Sequence, residues 1–257
     1  MKVVILAGGL GSRLSEETSL VPKPLVEVGG RPIIWHIMKH YARYGHTDFI
    51  ILLGYKGKLI KNYFLNYYHE GCDICVDLES NNVEVLSKQS EPWRVTLIDT
   101  GLGTMTGGRI KRVEEVVGQE SFLLTYGDGV SDIDLDSLVE FHKGHQGAVT
   151  MSSVQPHGRF GTFEGNGDFQ VTKFTEKAKG EGASINGGFF VCNPEVFSFL
   201  NDGDQTVFEK APLEDLAKSG LLYHYEHNGF WKCMDTLKDK TELQDLFDSG
   251  EAPWVTW

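Results

Sequence analysis

Short apolar runs and helical spacings alternate through the first half of the chain. Residues 2–6 are almost wholly apolar and stop at glycines, as a strand buried on both faces does. Ile34, Ile37, Met38 and Tyr41 recur at i, i+3, i+4 and i+7, which predicts a helix with one buried face. Pro32 stands near the start of that helix and Gly45 past its end, the usual asymmetry of helix termini. Residues 49–53 predict a second buried strand, and Ile60, Tyr63, Phe64 and Tyr67 a second amphipathic helix. Residues 121–126 predict a further buried strand, which runs into Gly127-Asp128-Gly129. A β-α-β-α opening of this kind predicts a parallel sheet covered by helices.

The rest of the chain is less regular. Ile74, Val76 and Leu78 alternate with polar residues, and Asn81-Asn82 predicts a turn into a hairpin with residues 83–86. Residues 169–174 and 185–191 predict strands between loops, and helices are predicted near 207–218 and 236–247. With no internal repeat and no low-complexity linker, the pattern predicts one mixed α/β domain with β insertions.

Composition narrows the function classes. The chain has 257 residues, 40% of them hydrophobic and 23% charged, and is long enough to bury a core without disulfides or metals. Lys and Arg number 24 against 36 Asp and Glu, so the net charge is 24 − 36 = −12. That argues against a nucleic-acid or anionic-membrane binder and leaves a local basic pocket open. No apolar run approaches the roughly 20 residues of a membrane span. The N-terminal apolar stretch is too short for a secretory signal. Four cysteines make no disulfide framework, so a cytoplasmic setting is expected.

Candidate chemistry begins where the first strand ends, in Leu6-Ala7-Gly8-Gly9-Leu10-Gly11-Ser12-Arg13-Leu14. Glycines at the carboxyl end of a strand let backbone N–H groups approach phosphate oxygens. The dinucleotide fingerprint fails because Leu14 stands where its third glycine belongs, and no Walker A lysine follows. What remains is a glycine turn carrying Arg13, then Lys23 between Pro22 and Pro24. A cation on a stiffened loop suits a phosphate, and a solvated loop lysine would read the same way. Asp128 lies at the edge where α/β sheets take ligands, though an Asp-Gly turn would explain it too. Asp235 precedes a predicted helix, and spacing alone favours it as that helix's N-cap. His69, Cys72 and Cys75 lack a fourth ligand in compact spacing, so structural zinc is not expected. His36 and His40 lie four apart on one helix face without a third ligand, and packing is expected there.

The segment LAGGLGSRLSEETSLVPKPLVEVGGRPIIWHIM resembles the signature of the sugar-1-phosphate nucleotidylyltransferases. The likeness extends through GYKGKLIKNYF, EPWRVTLIDTG, MTGGRIKRV, TYGDGVSD, GRFG, INGGFFV, GFWKCMDT and the tail APWVTW. The SEET, VEVGG and MTGGR segments resemble the cytidylyl branch in particular.

The resemblance implies a nucleotide-diphospho-sugar transferase fold over residues 1–257, with a nucleotide-binding half at roughly 1–130 and a sugar-phosphate-binding half at roughly 131–257. It implies Mg²⁺-assisted transfer of a cytidylyl group from CTP to glucose 1-phosphate or a related sugar 1-phosphate, releasing pyrophosphate. The setting it implies is an early step of CDP-deoxysugar synthesis for O-antigen and lipopolysaccharide. Leu6, Ala7, Gly8, Gly9, Gly11, Ser12, Arg13, Lys23, Thr104 and Arg109 become nucleotide contacts, with Arg13, Lys23 and Asp128 catalytic. Glu176, Lys177, Asn186 and Gly187 become sugar-phosphate contacts, and Asp128 and Asp235 metal ligands. Ala178 departs from the family's usual proline, and Leu102-Gly103-Thr104 is less polar than the family's loop. A homo-oligomer, trimer or hexamer, is implied as well. A sister activity with another base or sugar, and a catalytically silent sugar-nucleotide binder, are the competing readings.

Overall fold

The apolar run at the start of the chain lies at the heart of the sheet. The structure, a computed structural model, describes residues 1–87, 90–155, 162–165, 171–175 and 184–257. The principal strands are β1 (Lys2–Ala7), β2 (Asp48–Leu53), β3 (Arg94–Asp99), β4 (Phe122–Tyr126), β5 (Gly129–Ser131), β6 (Val149–Val154), β7 (Ile185–Cys192), β8 (Leu222–His227) and β9 (Trp231–Cys233). Seven of them form one sheet in the order β8-β6-β7-β4-β1-β2-β3. Only β7 runs against its neighbours; β1 is parallel to both β2 and β4. A mixed, mainly parallel sheet is therefore present, and it draws strands from both halves of the chain.

Alternation along β1 decides what each layer buries. Val3, Ile5 and Ala7 face one core with Ile33, Ile34, Met38 and Tyr41, while Val4 and Leu6 face a second with Ile110, Phe122 and Leu216. The first core is covered by α1 (Ile33–Arg43) and α2 (Gly57–Glu70). The second is covered by α3 (Thr106–Lys111) and by α5 (Ala211–Lys218). Burial on both faces is why β1, β2 and β4 are continuous apolar runs.

Two features depart from the sequence pattern for physical reasons. β6 reads VTMSSV, too polar for a core strand, yet Thr150, Ser152 and Ser153 are buried because their hydroxyls find partners. Thr150 Oγ1 meets His142 Nδ1 and His145 Nε2, each at 2.8 Å, and Ser152 Oγ accepts from the Phe189 N–H at 3.2 Å. His142 belongs to α4 (Leu135–Lys143), a helix not among those predicted above. The helix predicted near 207–218 starts only at Ala211, with Pro212 in its first turn, because the preceding residues bond to α3. The hairpin predicted around Asn81-Asn82 forms from Ile74–Asp77 and Asn82–Val85, with Asn81 at φ 53°. It keeps Ile74, Val76 and Val83 exposed.

The C-terminal tail is part of the core. Trp254 is fully buried, stacks on Phe230 and donates its indole N–H to His36 Nδ1 at 3.3 Å. His36 Nε2 then carries the proton bonded to the Val28 carbonyl at 2.8 Å, and burial holds the ring neutral by lowering its pKa. Replacing Trp254 by Ala removes this plug and leaves His36 with an unpaired nitrogen. We expect a loss of about 3–5 kcal/mol of unfolding free energy in urea melts; a loss below about 1 kcal/mol would mean that the tail merely lies on the surface.

Candidate active site

The turn after β1 is built by close approach. Leu6 and Ala7 are buried, and the Leu6 carbonyl accepts from the Gly127 N–H at 2.9 Å, which pins the ends of β1 and β4 together. The Gly8 carbonyl accepts from the Tyr55 N–H and from Arg109 Nη2, both at 3.2 Å. A Cβ on Gly8 would stand 2.4 Å from the Arg109 guanidinium carbon, so only glycine fits there. Gly11 has φ 63°, and its carbonyl is bonded to Thr18 Oγ1 at 3.0 Å and to the Leu14 N–H at 3.0 Å. The turn this makes leaves Gly9, Ser12 and Arg13 exposed at the carboxyl edge of the sheet.

Lys23 reaches the same edge from a short 3-10 turn, Lys23–Leu25, which Pro22 and buried Pro24 hold in place. Its Nζ lies 2.6 Å from Asp128 Oδ2 and 2.5 Å from Asp235 Oδ1. Arg13 Nη1 stands 2.7 Å from Asp235 Oδ2. Two cations and two carboxylates thus form one connected row.

The carboxylates meet because β5 and β9 pair antiparallel, with Cys233 opposite Gly129 and the Met234 N–H bonded to the Asp128 carbonyl at 2.9 Å. Asp235 is not the cap of the following helix, α6 (Leu237–Asp248). Thr236 caps it in a reciprocal box with Asp239, and the Asp235 carboxylate is left for the cations.

Burial alone would lower the Lys23 pKa, yet the Asp128 charge and the bonds to both carboxylates raise it well above the usual lysine value. Burial would raise Asp235, but bonding to Lys23 and the charges of Lys23 and Arg13 bring it below the usual carboxylate value. The Cys233 thiol, pushed up mainly by burial and then by Asp128, completes a group with the two carboxylates whose potential donor atoms lie within 4.8 Å of one another. It is the group of metal-capable side chains found among the described residues, and it does not include His69, Cys72 or Cys75.

Arg109 is almost wholly buried on α3, so the loop it follows is not a surface loop with a solvated arginine. Its guanidinium donates to the carbonyls of Leu53 and Gly101 and to Thr100 Oγ1 at 2.6–2.9 Å, as well as to Gly8. It thereby fastens the carboxyl ends of β2 and β3 to the glycine turn that follows β1. Thr104 is buried beside it.

Asn186 and Gly187 open β7, whose reversed direction brings its start to the carboxyl edge of the parallel strands. They line a cleft with Tyr126, Asp128, Phe189, Trp231 and Cys233. Trp231 Nε1 donates to the Gly187 carbonyl at 2.6 Å. Glu176 and Lys177 lie outside the described residues. Tyr126, Trp231 and Cys233 were not singled out in the sequence. Tyr126 immediately precedes Gly127-Asp128, and Trp231 and Cys233 lie on the strand leading to Asp235, so proximity to the two aspartates was their available signal.

A glycine turn, a paired lysine and two carboxylates at the carboxyl edge of a mainly parallel sheet define a nucleotide-handling α/β protein. A family model described as "Nucleotidyl transferase" matches residues 2–245, and the chain belongs to that family. It is 54% identical over 258 residues to a Salmonella typhimurium protein named glucose-1-phosphate cytidylyltransferase, with both chains covered in full. A Bacillus subtilis relative is 44% identical over 257 residues, again covering both chains in full. Among solved structures, HddC from Yersinia pseudotuberculosis superposes with a TM-score of 0.69 at 24% identity, covering 96% of this chain and 99% of that one, a likeness of fold.

The ion-pair row has a testable pH signature. The folded-state pKa of Asp235 is depressed, so its contribution to stability is present above the unfolded value near 3.8 and is lost as pH falls through the folded value. In metal-free protein, Asp235→Asn should therefore be destabilised by about 1–2 kcal/mol at pH 6–7. The difference from wild type should shrink below pH 4. Parallel urea melts across pH 2.5–7 measure this, and a constant gap down to pH 2.5 would contradict the assigned row.

Proposed function

We propose that this chain transfers the cytidylyl group of CTP to α-D-glucose 1-phosphate, giving CDP-glucose and pyrophosphate, at an early step toward CDP-deoxysugars of the O-antigen and lipopolysaccharide type. The observation that carries the reading is the full-length 54% identity to the Salmonella protein of that name. The site chemistry agrees with it. Attack by a sugar phosphate oxygen on the α-phosphorus needs alignment and charge neutralisation more than covalent help.

In this reading the backbone from Leu6 to Gly9 faces the base and ribose, and Gly11, Ser12 and Arg13 meet the triphosphate. A guanidinium forks onto phosphate oxygens, so exposed Arg13 follows the departing pyrophosphate. Lys23 stabilises charge that builds on the α-phosphoryl group. Thr104 and Arg109 shape the nucleotide side, Arg109 through the Gly8 carbonyl it holds. Asn186, Gly187, Glu176 and Lys177 take the sugar phosphate, the lysine its phosphate and the glutamate its hydroxyls.

Asp128 and Asp235 offer hard oxygen donors within 4.8 Å of each other, a set that fits Mg²⁺. When bound, Mg²⁺ supplies neutralising charge to the reacting phosphates. The same carboxylates hold Lys23 in the free protein, so its ammonium turns to phosphate only as their charge is met otherwise. No described helix is long and apolar enough to cross a membrane, and a cytoplasmic homo-oligomer is the setting we propose. The exposed apolar residues Ile74, Val76 and Val83 of the hairpin offer a face for such an assembly.

Pyrophosphate release, measured for five nucleoside triphosphates against a panel of sugar 1-phosphates, should be fastest with CTP and glucose 1-phosphate. It should stop in EDTA and return with Mg²⁺. Equal or faster turnover with dTTP, UTP or ATP would move the protein to a sister activity, and silence with every pair would make it a binder.

Two lysines should fail differently in the same assay. Lys23→Ala should lower kcat by roughly 10²–10³-fold, the scale of one lost transition-state stabiliser. Lys177→Ala should raise the KM for the sugar phosphate and spare CTP binding, because its contact exists before and during the reaction. A Lys177→Ala protein with weakened CTP binding and an unchanged sugar-phosphate KM would refute the second pocket.

A further inference from the structure

The segment between Gly203 and Glu209 does more than connect two elements. It packs along α3, the short helix that carries Arg109. The Met105 N–H bonds to the Asp204 carbonyl at 2.8 Å and the Gly108 N–H to the Thr206 carbonyl at 3.1 Å. Arg112 pairs with Asp204 at 2.7 Å. At the end of this segment, Glu209 receives two hydroxyl donors. Thr106 Oγ1, at the start of α3, donates to Oε2 at 2.6 Å, and the Tyr126 hydroxyl donates to Oε1 at 2.6 Å. The Phe208 N–H donates to Thr106 Oγ1 at 2.9 Å, which fixes the direction of the threonine hydroxyl.

These two donors belong to opposite sides of the site. Thr106 leads through α3 to the Arg109 guanidinium and so to the Gly8 carbonyl of the glycine turn. Tyr126 ends β4 beside Asp128, lines the cleft with Asn186 and Gly187, and has its hydroxyl 3.4 Å from Asn186 Nδ2. A Cβ on Gly188 would stand 2.6 Å from the Tyr126 ring, so the ring lies close against the β7 backbone. Burial first, and the Glu209 charge second, push the Tyr126 pKa up, so the hydroxyl keeps its proton and remains a donor. Glu209 itself is exposed. An exposed glutamate held by both its oxygens has lost side-chain freedom that nothing in the packing of the core demands.

We infer that Glu209 is a positioning residue that couples the two substrate sides, its carboxylate tying the nucleotide-side helix α3 to the Tyr126 wall of the sugar-phosphate cleft. This rests on the assignment of residues 104–109 and 186–187 made above. Glu209 touches neither reacting group. It makes order on one side a condition of order on the other, so both substrates should sense its loss.

The test compares wild type, Glu209→Ala, Tyr126→Phe, the double variant and Glu209→Gln, each first shown folded by its melting temperature. The substrates are whichever nucleoside triphosphate and sugar 1-phosphate the wild type turns over fastest. A pair other than CTP and glucose 1-phosphate would thus overturn the substrate assignment and leave this test in force. Glu209→Ala should raise the KM of both substrates about 3–10-fold, the scale of one or two net hydrogen bonds, with a smaller change in kcat. Tyr126→Phe should raise the nucleotide KM about 3-fold, although its hydroxyl reaches the nucleotide side only through Glu209. The double variant should bind nucleotide no worse than Glu209→Ala alone. Glu209→Gln should recover most of the loss, because its amide oxygen can accept from the Thr106 hydroxyl while its amide N–H donates to the Tyr126 hydroxyl, which can turn to accept. A Tyr126→Phe protein with an unchanged nucleotide KM, or nucleotide effects that multiply in the double variant, would overturn the coupling. A Glu209→Gln protein as impaired as Glu209→Ala would do so too.

Discussion

One ammonium group sets the terms for the rest of the molecule. Lys23 stands between two carboxylates that would otherwise repel each other at the edge of the sheet. Desolvation opposes the charges of Lys23 and Asp235, and mutual neutralisation makes their burial tolerable. The fold therefore has to deliver four residues from distant parts of the sequence to one place with little slack. Two prolines stiffen Lys23, a left-handed glycine turns Arg13 outward, a two-stranded ladder aligns the aspartates, and a separate threonine caps the next helix. Each device is local, and each makes sense only in view of the charge row.

The sheet supplies the common edge. Parallel strands end together, so the loops after β1, β2, β3 and β4 converge, and Arg109 bonds to the carboxyl ends of β2 and β3 and to the glycine turn after β1. The single reversed strand, β7, adds the opposite kind of terminus to the same edge, its beginning rather than its end. That is how a cleft on the far side of β4 comes to share Asp128 with the glycine turn. In the proposed function, triphosphate chemistry and sugar recognition meet across one strand's width.

The buried parallel strands were legible in the sequence because burial on both faces leaves an unbroken apolar run. The helix face of Ile34, Ile37, Met38 and Tyr41 was legible because its spacing has a helical period. The polar strand β6 was not, since its threonine and serines are acceptable only beside His142, His145, the β7 backbone and β8. Such partnerships are tertiary facts with no period. The short strands β5 and β9 are too brief to show one either. At the site, the glycine turn, Lys23 and the two aspartates stood out from their settings, although spacing alone left turn and cap readings open. Arg109 was singled out, but its bonding was not foreseeable, because it depends on three loops meeting. Glu209 drew no notice, being one acidic residue in a polar stretch, and it matters only through what it touches.

The β5–β9 ladder also has a consequence in time. Asp128 and Lys23 leave the ribosome long before Asp235 does, and domains begin to fold while synthesis continues. Without β9 paired to β5, Lys23 would have Asp128 as its carboxylate partner but neither Cys233 nor Asp235 beside it. Tail burial comes later still, with Trp254 closing over α1. A prematurely terminated chain would thus contain most of the sheet and the whole glycine turn, yet lack half of the acidic centre. In this architecture, the acidic centre forms only once β9 has paired with β5.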